Sequence, residues 1–222
     1  MSKNGTTSTA TRERILRYAL EEFLEHGVKS VKMDDIAAGL GVSKRTIYEL
    51  FGDKENMLAE AIEFYGRELD KELNLISKTT PNMMEAYVRI TISLFSELQR
   101  MNPSFYVDLR RHGQAVEVVR RMRADQRRKD LEFVTKFVEE GYFRDDLDYE
   151  LVLEMQDLQK EMIMEKELYR KFSFFDIMRT VNDMNFRSVC TKKGMQELEK
   201  SLRKVREEFA DEFSLVERMK KQ

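Results

Sequence analysis

Residues 33–58 read MDDIAAGLGVSKRTIYELFGDKENML, and this stretch decides the fold. Apolar residues recur at helical spacing on both sides of Gly41, and they predict two short helices, Met33–Leu40 and Lys44–Phe51. A glycine between them accepts the left-handed backbone that a tight turn needs. The pattern therefore predicts a helix-turn-helix, a motif whose second helix can present its first residues to the major groove of DNA.

The flanking residues predict where the neighbouring helices begin and end. Ser43 is placed to cap the second helix, because a serine side chain can accept a hydrogen bond from a first-turn amide. Asp53 is placed to cap a long helix that we expect over 54–77. An earlier helix is predicted over 11–27, where apolar residues form one broad stripe. The polar residues 1–10 are predicted to be a flexible tail.

The rest of the chain predicts a helical body. Strand-like alternation is absent from the sequence, and prolines and glycines separate long amphipathic segments. We expect further helices over 82–101, 104–111, 114–140, 148–171, 174–190 and 195–219. The fold class is thus all-α, with a helix-turn-helix domain over 11–53 and a further helical domain over 54–222, to which the family resemblance described below gives a regulatory and dimerisation role. The last helix has near-heptad spacing, and we leave open whether it packs within the chain or on a partner.

Composition excludes several other classes of protein. The formal net charge is −2, so any nucleic-acid site must be a local patch and not a property of the whole chain. One cysteine and two histidines provide neither a disulfide nor a metal cluster, and we predict no cofactor and no enzyme activity. The polar start and the lack of a long apolar run predict a cytoplasmic protein without a membrane partner.

Four side chains should face outward from the second helix of the pair. Ile47 is expected to point inward, which leaves Lys44, Arg45, Thr46 and Tyr48 on the opposite side. Lysine, arginine, threonine and tyrosine side chains are common donors to phosphate, and arginine also reads guanine. These side chains are therefore candidate DNA contacts, although any single one could equally belong to a solvated helix face.

The quoted stretch resembles the DNA-binding region of the TetR family of bacterial transcriptional regulators. The likeness covers about residues 11–65, and the shared residues are Gly27, Ile36-Ala37, Gly41-Val42-Ser43, Thr46-Ile47-Tyr48, Phe51, Lys54-Glu55 and Leu58. The resemblance implies an all-α homodimer whose three N-terminal helices bind double-stranded operator DNA. It also implies a helical body that dimerises and often holds a small-molecule inducer, here expected to be apolar or amphipathic.

The resemblance assigns roles to individual residues. Tyr48 and Lys54 would touch phosphates, whereas Lys44, Arg45 and Thr46 would reach base edges or backbone at the start of the recognition helix. Ser43 would cap that helix.

Two positions depart from the usual family pattern. Arg45 stands where a small residue is frequent, and Lys32 stands where a serine or threonine cap is common. A lysine cannot cap amides, but Lys32 could reach a phosphate as a point charge.

These features favour a DNA-binding transcriptional regulator, expected to be a ligand-responsive repressor that an inducer releases from a palindromic operator. The alternative is a helical-bundle enzyme or metal-binding protein. A di-metal bundle would need inward Glu-x-x-His pairs. Phe23 lies three residues before His26, and Leu109 lies three before His112, so neither histidine has the required glutamate.

Overall fold

The computed structural model describes residues 3–208, apart from the side chains of residues 3–9 and 97–100. This part of the chain is helical throughout, without a strand. The helices are α1 Lys3–His26, α2 Met33–Leu40, α3 Lys44–Phe51, α4 Lys54–Thr79, α5 Met83–Arg100, α6 Ser104–Leu109, α7 Gly113–Glu139, α8 Tyr149–Glu165, α9 Phe174–Val189 and α10 Lys192–Glu208, with one 3-10 turn at Leu168–Arg170. The predicted all-α class and the predicted bounds of α2 and α3 are confirmed.

Two hydrophobic cores organise the fold. The first core joins α1–α4 with α6 and the start of α7, and Phe23, Ile36 and Ile47 are fully buried in it. The second core joins α5, α7, α9 and α10 around Phe137 and Val205. The start of α4 belongs to the first core, and the same helix continues along α5 and α7. One continuous helix therefore connects the helix-turn-helix to the body.

Two helix ends differ from the prediction. Helix α1 begins at Lys3, so most of the predicted flexible tail is helical. No proline interrupts those residues, and a helix already formed extends more readily than a new one starts. Helix α8 ends at Glu165 and not near residue 171, because Glu167 adopts a left-handed backbone with φ of 51°. No glycine or proline in the sequence signals that end.

Gly194 was predicted to separate two helices, but it lies inside α10. The Thr191 hydroxyl accepts a hydrogen bond from the Gly194 amide at 3.0 Å and so caps the helix three residues earlier than predicted. A Cβ atom on Gly194 would lie 2.1 Å from the carbonyl oxygen of Tyr142. This glycine therefore lets α10 lie close against the connector that contains Tyr142. Helix α10 packs on α5 of the same chain, while residues 209–219 of the predicted last helix lie outside the described residues.

Arg12 ties three helices of the first core together. Its Nη1 donates to the carbonyl oxygen of Leu50 at 2.9 Å, and its Nη2 and Nε donate to Glu60 at 2.7 and 3.1 Å. The guanidinium also lies 4.6 Å from the ring centroid of Phe51. One side chain thereby fixes the end of α3 relative to α1 and α4.

We predict that Arg12→Lys destabilises the protein, because an ammonium group cannot reproduce the planar fork that reaches Leu50 and Glu60 together. The Arg12–Glu60 pair is about one-third exposed. The expected loss in the free energy of unfolding is therefore modest, about 1 kcal/mol. Urea denaturation followed by circular dichroism measures it. The matched control is Arg203→Lys on the exposed side of α10. An equal change in the two variants would show that Arg12 holds nothing together.

Candidate nucleic-acid interface

The turn between α2 and α3 depends on the backbone of Gly41. Its φ and ψ are 65° and 29°, in the left-handed region. The Gly41 amide donates to the carbonyl of Ala38 at 3.1 Å, and the Val42 amide donates to that of Ala37 at 3.0 Å. Nothing lies within 4 Å of the place where a Cβ would stand. The need for glycine here is thus a matter of backbone conformation and not of space.

Ser43 caps α3, as predicted. Its backbone is extended, and its hydroxyl oxygen accepts a hydrogen bond from the Thr46 amide at 3.1 Å. The hydroxyl groups of Ser43 and Thr46 also lie 2.8 Å apart. Ile47 and Phe51 are buried beneath the helix. The cap and these two anchors together fix which face of α3 remains in solvent.

The exposed face of α3 carries the predicted cations, and each has an acidic partner. Lys44 Nζ lies 2.6 Å from a carboxylate oxygen of Asp34, and this hydrogen bond raises the pKa of Lys44. Arg45 Nε donates to Glu49 at 2.7 Å, although the Arg45 side chain is 86% exposed. Tyr48 is about half exposed on the same helix. The face offers donors to DNA, but Lys44 and Arg45 must first exchange these partners.

The sequence prediction missed both acidic partners. Glu49 follows Arg45 by four residues on one helix, so its position was readable from helical spacing. Asp34 lies ten residues before Lys44 on a different helix, and only the crossing of α2 and α3 brings the two together.

Lys32 and Lys54 occupy different environments. Lys32 precedes α2 with its side chain exposed and makes no side-chain cap, while its amide donates to Asp35 at 3.0 Å. Lys54 is half-buried, and its Nζ donates to the carbonyls of Val28 and Val31 at 2.9 and 3.0 Å. Lys54 therefore braces the loop before α2, and a phosphate contact would require its remaining donor. The phosphate role of both lysines stays a prediction.

Hydrogen bonds link the helix-turn-helix unit directly to the body. The Asp108 carboxylate on α6 accepts from the Lys29 amide at 2.8 Å. The backbone amide of Asn102 donates a hydrogen bond to the backbone carbonyl oxygen of Leu24 at 2.7 Å. At the start of α7, the backbone amide of Gln114 donates a hydrogen bond to the side-chain carboxylate of Glu55 at 3.1 Å. Motions of α6 or α7 would therefore act on both ends of the DNA-binding unit, a link that local sequence spacing could not reveal.

The body contains a cavity of about 760 Å³ that is open to solvent on one side. Its walls come from α4, α5, α7, α8, α9 and the connector at Phe143. Tyr87 stacks on Phe186 with ring centroids 3.9 Å apart, and burial raises the pKa of Tyr87 to about 12. Its hydroxyl therefore stays neutral. Phe133 lines this cavity, and the sequence alone assigns no residue to a ligand.

A row of large apolar side chains is exposed on α8. Leu151, Met155, Leu158 and Met162 follow one another at helical spacing, and each is at least 55% exposed. Met184 on α9 is exposed as well. We call Leu151, Met155, Leu158 and Met162 the α8 stripe.

Among the helices of residues 3–208, none is long and apolar enough to cross a membrane.

Comparisons with known proteins agree with this geometry. The family described as "Bacterial regulatory proteins, tetR family" matches residues 15–61. A transcriptional repressor of Mycobacterium tuberculosis, KstR2, is 25% identical over 146 residues, which are 64% of this chain and 73% of that protein. The repressor SCO4008 of Streptomyces coelicolor is 37% identical over 54 residues, or 24% of this chain and 28% of that protein.

A similar fold occurs in a solved structure of a putative transcriptional regulator from Saccharomonospora viridis in complex with choline. Its TM-score is 0.64 at 20% identity, over 83% of this chain and 100% of that one. The matched residues 15–61 contain α2, the Gly41 turn and α3, and the helical body follows them as in this neighbour. Residues 15–61 are therefore similar to the N-terminal domain of the TetR family of bacterial regulatory proteins, and the helix-turn-helix of α2 and α3 lies within that match.

Proposed function

We propose that the protein is a homodimeric repressor that holds a palindromic operator through α3 and leaves it when a small molecule binds in the body. The observation that carries this proposal is the capped, exposed face of α3, where Lys44, Arg45 and Tyr48 stand over two buried anchors. Relatives such as KstR2 are named as transcriptional repressors, which supports repression over activation.

Arg45 is the residue that we expect to read a base. The side chain of Arg45 is more exposed than that of Lys44, the other cation of α3. Arginine binds the O6 and N7 atoms of guanine in a bidentate manner. The exposed pair with Glu49 is weak, so DNA can displace it at little cost. Tyr48 and Lys54 would contact phosphates, which position the helix without reading sequence, while Lys44 would reach a base edge or the DNA backbone.

The α8 stripe supports a homodimer. Four large apolar side chains at helical spacing form a contiguous face that water solvates poorly, and such faces commonly mark protein contacts. Two copies meeting through this face would be related by a two-fold axis. Such a dimer presents two α3 helices to DNA, and binding to one face of a palindrome needs them roughly 34–36 Å apart.

Release from DNA would follow from a population shift. A ligand that binds the body better in one arrangement of α4, α6 and α7 favours that arrangement. The Asp108–Lys29 and Glu55–Gln114 hydrogen bonds would pass the movement to the helix-turn-helix units. The two α3 helices would then no longer match the operator spacing.

We predict salt-sensitive binding to the DNA upstream of the protein's own gene. Fluorescence anisotropy at two salt concentrations measures it, because phosphate contacts release counterions and make affinity fall with salt. Tyr48→Ala should weaken binding to all sequences. Arg45→Ala should cost about 1–3 kcal/mol at one base-pair position and relax the choice of base there.

The matched control for this experiment is Arg203→Ala, which removes an exposed arginine from α10 in the body. It should leave affinity and base preference unchanged. Equal losses on every operator variant for Arg45→Ala would refute its role in base reading. Binding that is independent of both sequence and salt would refute the repressor itself.

We predict that the double substitution Met155→Glu and Leu158→Glu separates the dimer. Two carboxylates in the α8 stripe would have to be buried without partners, which is strongly unfavourable. Sedimentation velocity at micromolar protein should show monomers, and operator affinity should fall with the loss of the second α3.

The control is Leu75→Glu, since Leu75 is a similarly exposed apolar residue on α4. That variant should remain dimeric. A double variant that still sediments as a dimer would exclude the α8 stripe as the interface.

A further inference from the structure

We propose that the cavity in the body takes an uncharged, mostly apolar molecule with one hydrogen-bonding head group, which the amide side chains of Asn182 and Asn185 receive. The proposal rests on the ligand-responsive function proposed above and specifies the chemistry of its ligand. A hydroxyl or amide head group on an aromatic or aliphatic body fits the description.

The inner part of the cavity favours an apolar body. Tyr87, Phe133, Phe143 and Phe186 line it from α5, α7, the connector and α9. Phe133 and Phe143 rings lie 6.3 Å apart, and Phe143 meets Phe186 edge to face at 5.1 Å. Aromatic walls of this kind bury a large apolar area and contribute most of the affinity in a small-molecule site.

The polar groups at this wall carry no formal charge. Asn182 Nδ2 donates to the Tyr87 hydroxyl at 3.1 Å, and Asn185 Nδ2 donates to Gln159 at 2.9 Å. Within the described residues, the side-chain carbonyl oxygens of Asn182 and Asn185 make no hydrogen bond to the protein. Both asparagines line the cavity. They therefore present two free acceptors, which suit a neutral donor such as a hydroxyl or an N–H group.

The charged groups that line the cavity are exposed or half-buried, and the two signs are present in equal number. Four basic and four acidic side chains line the cavity: Arg67, Arg123, Lys129 and Lys160, and Glu63, Asp70, Asp125 and Asp130. Lys129 Nζ lies 2.8 Å from both carboxylate oxygens of Asp70, and Arg123 Nε donates to Asp157 at 3.0 Å. Arg123, Lys129 and Lys160 are already paired with acids, and Arg67 is exposed on α4, so an anion beside Asn182 would have to break such a pair or be desolvated there without a partner. The cost of burying an unpaired charge thus selects against ionic ligands.

Two fluorescent probes with the same ring system test the proposal on the full-length protein. 1-Anilinonaphthalene is neutral and has one N–H donor, while 1-anilinonaphthalene-8-sulfonate adds an anionic group. We expect the neutral probe to bind about tenfold more tightly, because the sulfonate would be desolvated beside the acceptor oxygens of Asn182 and Asn185, which offer it no hydrogen-bond donor. Equal or tighter binding of the sulfonate, or no binding of the neutral probe, would overturn the proposal.

Substitutions locate the head group. Asn182→Ala should lower the affinity of the protein for the neutral probe about fivefold, because it removes one hydrogen-bond acceptor. The matched control is Asn74→Ala, an exposed asparagine on α4 that does not line the cavity. Circular dichroism checks folding, and Asn182→Ser replaces the alanine variant if the latter unfolds. An affinity unchanged in the Asn182 variant, or equally reduced in the Asn74 control, would overturn the assignment.

Operator binding measured on the same samples separates the two proposals. Intact sequence-specific DNA binding together with failure of the neutral probe would reject only the ligand chemistry. If the unmodified protein shows no sequence-specific DNA binding, the proposed repressor function is rejected, whatever the result with the two probes.

Discussion

The fold depends on the continuity of α4 through two hydrophobic cores. Met57, Leu58 and Ile62 are buried with α1 and α3, whereas Leu69 and Leu73 on the same helix line the cavity. A helix of 26 residues with its backbone hydrogen bonds intact is stiff, so a displacement at the cavity cannot be absorbed along its length. The Asp53 cap fixes the start of this helix at Lys54, two residues after the turn at Gly52 that ends α3. One helix thereby joins the helix-turn-helix to the wall of the cavity.

Local charge pairing explains how a slightly acidic chain can present a surface for DNA. Lys44 and Arg45 each neutralise an acid of the same motif, so this surface of the free protein is not strongly positive. A strongly positive surface would promote non-specific binding. Because both pairs are exposed and weak, phosphates and base edges can replace the acids.

The body cavity is lined by exposed or half-buried charged groups and by buried or half-buried aromatic rings. Aromatic rings from three helices and one connector meet at a single wall, and Tyr87 and Asn182 are the polar groups bonded to each other there. Residues as distant in sequence as 87 and 182 face one another because α5 packs on α9. No spacing rule along the chain could have placed them in one site.

The sequence by itself determined the helix-turn-helix, the bounds of α2 and α3, and the caps at Ser43 and Asp53. These features rest on interactions between residues a few positions apart, such as helical periodicity, the left-handed conformation of Gly41 and side chains that bond nearby amides. The tertiary structure alone decided that Arg12 locks α3, that Lys54 is engaged by carbonyls, and that Gly194 lies within a helix. The Arg12 and Lys54 contacts join segments far apart in the chain, as does the close approach of Gly194 to Tyr142, and these partners are fixed only when the helices pack.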